Sequence, residues 1–66
     1  MTYTTTDNSE FATLKQAMQY ANHTEQTEIA LNHLNKSEII YQLHPMSERL
    51  ERVQTVREAK IKLNKI

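Results

Sequence analysis

The chain has 66 residues, no cysteine, no glycine, one proline, and a formal charge of zero from eight Lys/Arg and eight Asp/Glu. Without cysteine, disulfides and thiolate metal sites are excluded, and so short a chain buries little surface and gains from a partner. No apolar run reaches the length of a membrane span, and the opening MTYTTTDNSE lacks the basic and apolar regions of a signal peptide, so the expected location is cytoplasmic.

Tight β-hairpins favour Gly or Asn-Gly. A glycine-free chain therefore predicts an all-α fold class: one small three- to four-helix domain over 1–66 with a long C-terminal helix. Residues 1–6 are polar and β-branched, with nothing to bury, and are expected to be disordered. Asp7 and Glu10 have capping-box spacing, and Phe11, Leu14, Ala17, Met18 and Ala21 follow on one stripe, which predicts a helix over 8–21. Asn22 suits a helix end and Thr24 the cap of a second helix over 24–34.

On one wheel, Ala30, Leu31 and Leu34 point one way while Ile39, Ile40 and Leu43 point largely the other. A break at Asn35-Lys36-Ser37 resolves this, with Ser37 capping a third helix over 38–44. The stretch EIIYQL also has strand character, with Ile39, Tyr41 and Leu43 inward and Glu38 and Gln42 outward. As a strand, 38–43 would need a mate from a second copy.

Pro45 suits the first turn of a last helix over 46–64. There Glu48 with Arg52, and Glu58 with Lys62, form i,i+4 pairs. Val53, Val56, Ala59, Leu63 and Ile66 make one stripe, and Leu50 and Ile61 make a second. The expected core is Phe11, Leu14, Met18, Leu31, Leu34, Ile40, Leu43, Val53 and Val56.

The chemistry-bearing side chains are sparse. His23, His33 and His44 lie ten and eleven residues apart, with no H-E-x-x-H pattern to share a metal. Ser9, Ser37 and Ser47 read as helix caps, and there is no Gly-flanked serine elbow or phosphate-cradling loop. The expectation is no catalytic residue, no metal, no cofactor and no enzyme.

Residues 29–44 resemble a DNA-reading helix-turn-helix. Ile29, Ala30 and Leu34 stand where its first helix packs, Ser37 where its second begins, and Ile40 and Leu43 where that helix is buried. The resemblance implies a DNA-binding transcriptional regulator using Lys36, Ser37, Tyr41, Gln42 and His44. The segment departs from the motif in three places. Asn35 replaces the frequent glycine, Lys36 takes a usually apolar place, and Ala30 to Leu34 is one residue too long. The candidate reading helix also carries neither Arg nor Lys, the residues that supply phosphate attraction and guanine readout.

The basic residues lie elsewhere. From Ser47 onward there are six, Arg49, Arg52, Arg57, Lys60, Lys62 and Lys65, against three Glu. Beside the Leu50 and Ile61 seam they suit an acidic, partly apolar groove. The preferred expectation is thus a small regulator that binds a larger protein and blocks or bridges it, of the inhibitor or adaptor type common on phages and mobile elements. Its binding residues would be Arg49, Leu50, Arg52, Arg57, Lys60 and Ile61. It would work as a homo-oligomer or in a heteromeric complex, with nucleic acid as the less favoured partner and no membrane.

Overall fold

The computed structural model describes residues 1–65; Ile66, assigned above to an apolar stripe, lies outside them. In chain order they form β1 (Thr2–Thr5), β2 (Glu10–Phe11), α1 (Leu14–Thr24), β3 (Glu28–His33), β4 (Lys36–His44), β5 (Arg49–Arg52) and α2 (Val56–Leu63). The strands make one antiparallel sheet in the order β2-β1-β3-β4-β5. Both helices contribute to one core against the sheet, α1 over β1–β3 and α2 over β4 and β3. The fold is α/β, which overturns the all-α expectation.

Thr2–Thr5, expected to be disordered, is β1, paired with β3 from Thr2–Asn32 to Thr5–Ile29. The helix expected over 8–21 starts later, at Leu14, and its cap is Thr13, whose Oγ1 accepts the Gln16 N–H at 3.2 Å. The helices expected over 24–34 and 38–44 are the strands β3 and β4, and β4 finds its mates within the chain. The long helix expected over 46–64 is a turn, then β5, then the eight residues of α2. A helix-turn-helix over 29–44 is therefore excluded.

The reason is turn chemistry. Five residues other than glycine take positive φ: Asn8, Glu25, Leu34, Asn35 and Glu48. Asn tolerates this region, but for Leu and Glu it costs roughly 1–2 kcal/mol each. Leu34 (φ 48°) and Asn35 (φ 63°) form the two-residue loop between His33 and Lys36, a type I′ hairpin turn without glycine. Long-range strand pairing overrides a local preference that argues against hairpins.

The core is small. Ala17, Ala21, Ile29, Leu31, Ile40, Ala59 and Leu63 are buried, with Tyr3, Phe11, Leu14, Met18, Tyr41, Leu50 and Val56 packed around them. Ile29 and Leu31 project to the helices at the two-residue strand period, and Ala30 faces the opposite side. Ile29 pairs with Tyr41 and Ala30 with Ile39, so Ile40 is an extra, bulged residue. The bulge puts Ile40 and Tyr41 both toward the core and leaves Ile39 on the helix-free face, where an unbroken strand would have reversed them. Of the expected core, Leu34, Leu43 and Val53 are exposed instead.

The loop Thr5–Ser9 is held from three sides. Asp7 accepts bonds from Thr5 Oγ1 at 2.7 Å, from the Ser9 N–H at 3.0 Å and from the Tyr20 hydroxyl at 2.5 Å. Thr6 Oγ1 accepts the N–H groups of Thr27 and Glu28 at 2.9 and 3.0 Å. Asp7 thus organises a strand turn and does not cap a helix.

Candidate protein-binding surface

On α2, Val56, Ala59 and Leu63 face the sheet. At helical spacing Ile61 falls on the opposite side, and it is 54% exposed. Arg57, Lys60 and Lys62 are exposed around it. The one acid of this helix, Glu58, is turned back on its own N-terminus. It accepts bonds from the Thr55 N–H and Oγ1 at 3.1 and 2.9 Å, while Thr55 Oγ1 accepts the Glu58 N–H at 3.1 Å. Those Thr55 hydrogen bonds, aided by the charges of Lys62 and Arg52, hold the Glu58 carboxyl below its ordinary value. Lys62 Nζ lies 3.8 Å from Glu38 on β4. The outer face of α2 is therefore a cationic rim around an apolar centre.

The turn into α2 is pinned by Gln54, whose Nε2 donates to Glu38 Oε1 at 3.1 Å and to the Ile39 carbonyl at 2.8 Å. Val53, just before it, is 57% exposed.

The six binding residues expected from the sequence divide in two. Arg57, Lys60 and Ile61 are on α2, and Arg52 is near enough to act on Glu58. Arg49 and Leu50 are on β5 and border a separate open groove with Leu43 and the end of α1, at Ala21, Glu25 and Gln26. Leu50 and Ile61 do not form one helical seam: Leu50 pairs with Leu43 across the sheet, and Ile61 faces solvent. The Glu48–Arg52 pair likewise belongs to a turn and a strand, and no helix carries it.

The five residues of the DNA-reading alternative are spread along β4. Tyr41 packs toward the core and pairs with Arg52, while Gln42, next along the strand, points to the helix-free face. Lys36 Nζ donates to the Lys65 carbonyl at 3.0 Å, and His44 Nδ1 accepts the Met46 N–H at 3.1 Å. Ser37 is exposed on the helix-free side, opposite Asn32. Ser37 and Gln42 thus share the helix-free face, whereas Tyr41 is turned to the core, so the five do not all lie on one face.

Three exposed apolar residues escaped the sequence reading: Leu34, Leu43 and Val53. The matched β-rich runs on either side of Leu34-Asn35 carried the hairpin signal that would have placed the first two. Among the described residues no cluster of three His, Asp or Glu could hold a metal, and no helix is long and apolar enough to cross a membrane. Comparison with known proteins finds no matching family model, no matching curated protein and no matching solved structure.

Proposed function

We propose that this protein is a small non-enzymatic cytoplasmic regulator that binds a larger protein through the outer face of α2 and blocks or bridges it. The observation that carries the reading is Ile61, held out to solvent opposite the buried stripe of its helix and ringed by Arg57, Lys60 and Lys62. An apolar anchor inside a charged rim is the arrangement of an interface centre. The rim is net cationic because Arg57, Lys60 and Lys62 outnumber the one carboxylate of the helix, Glu58, which is turned back onto Thr55, so the complementary partner surface is acidic with an apolar socket.

The test uses three tagged baits in a nuclease-treated native lysate: the wild type, Arg57→Glu/Ile61→Glu, and Lys15→Glu/Gln16→Glu at exposed positions of α1 as a charge-matched control. A specific protein should be retained by the wild type and the control and reduced roughly tenfold or more by the α2 variant. Retention that depends wholly on nucleic acid, or a partner that the α2 variant holds equally well, overturns the reading.

A further inference from the structure

Strand β5 ends the sheet, and among the described residues no strand pairs with its outer side. The hydrogen bonds show which of its backbone groups are free. The Val53 N–H donates to the Ile40 carbonyl at 2.8 Å, and the Glu48 N–H donates to the His44 carbonyl at 2.8 Å. The Leu43 N–H turns away from β5, to the Thr27 carbonyl at 2.8 Å. Bonded and non-bonded pairs alternate along an antiparallel ladder, so Leu43–Leu50 is a non-bonded pair. Leu50 therefore presents its N–H and C=O to the open edge, and Arg52 does the same two residues on.

The side chains along this edge read Glu48, Arg49, Leu50, Glu51, Arg52. Reversed about Leu50, every charge meets its opposite. Arg49 falls opposite Glu51 of a second copy, Glu48 opposite Arg52, and Leu50 opposite Leu50. Neighbouring registers fail. A shift of one place sets Arg49 against Arg52 or Glu48 against Glu51, and a shift of two sets Arg49 or Glu51 against itself. The free Leu50 groups also fit the Leu50-centred register, since Leu50 then exchanges both bonds with Leu50 of the other copy.

We propose that β5 is a self-association edge: two copies pair antiparallel about Leu50 and join their sheets into one. Charged residues usually protect an edge strand from pairing. Here the order of signs converts that protection into selection for one partner, a second copy in one register. The pairing brings the two Leu43–Leu50 corners together at the dyad on the helix side, covering the 42%-exposed Leu43. It also places the α2 faces of both copies on the same side of the joined sheet. The proposal is independent of the α2 reading above, because it uses a different surface.

Sedimentation velocity over a range of concentrations tests it with wild type, Arg49→Glu and Glu51→Arg, circular dichroism confirming that each is folded. The wild type should be in monomer–dimer equilibrium. Each variant alone sets two like-charge pairs across the dyad and should weaken the dimer roughly tenfold or more. Mixed in equal amounts, the two variants should recover a dimer of one copy of each, because every altered charge then faces its opposite. A wild type that stays monomeric, variants that dimerise as tightly as wild type, or a mixture that shows no recovery overturns the proposal.

Discussion

The hydroxyl of Tyr20, on α1, donates to the carboxylate of Asp7, in the turn between β1 and β2, at 2.5 Å. This bond ties the first strand pair to the helix, and Tyr20 also packs against Phe11 of β2 with ring centroids 5.1 Å apart. Tyr20→Phe keeps the ring contact and loses the hydroxyl, which donates to Asp7 and accepts from Ser9 Oγ at 3.3 Å. It should lower the Tm by several degrees in a thermal melt, a shift expected of one well-formed hydrogen bond in a domain this small.

Hydrogen bonds from Tyr20, Thr5 and Ser9 hold Asp7 well below its ordinary value of 3.8, and the Thr55 cap holds Glu58 below 4.5. The unfolded chain therefore binds protons more readily than the folded one, so acid favours unfolding. The contribution of these two carboxyls is fully present above 4.5 and is lost as the pH falls through and below their ordinary values. Urea melts across this range should show that decline, and Asp7→Asn should be less stable at neutral pH with a shallower acid slope. An Asp7→Asn protein whose acid slope matches wild type would show that the bonds to Asp7 contribute nothing.

Leu31 and Leu34 differ by three positions on one hairpin and should respond oppositely to substitution. Leu31 is fully buried, and Leu31→Ala should cost about 3 kcal/mol, enough to unfold much of the population. Leu34 is 79% exposed with φ 48°, so Leu34→Gly relieves a left-handed leucine and should stabilise by about 1 kcal/mol. Urea midpoints measure both. A destabilising Leu34→Gly would mean that this side chain makes contacts its exposure conceals.

Thr55 carries the capping box of α2. Thr55→Ala removes the acceptor for the Glu58 N–H and should destabilise by about 1 kcal/mol, with helical ellipticity lost before the sheet signal on heating. Simultaneous loss of both signals at an unchanged midpoint would contradict that role for the cap.

Local patterning was legible wherever a helix buries one stripe. Leu14, Ala17, Met18 and Ala21 mark α1, and Val56, Ala59 and Leu63 mark the inner side of α2, because i, i+3, i+4 spacing is a property of the chain itself. Composition also excluded disulfides and named the cationic residues that now surround Ile61. Only the tertiary structure decided that residues 29–44 pair as strands. Ile29, Leu31 and Ile40 are as apolar as a helix stripe would be, and the strand alternation of EIIYQL sets Ile39 inward and Ile40 outward, which the bulge at Ile40 reverses. The turns hid the sheet too. Leu34 and Glu48 adopt positive φ at a local cost, and that cost is met by β1, β3, β4 and β5 bonding to one another across the chain. A residue's own preference reports the energy of its turn, whereas the partners that outweigh it lie up to thirty positions away, as Thr2 does from Asn32.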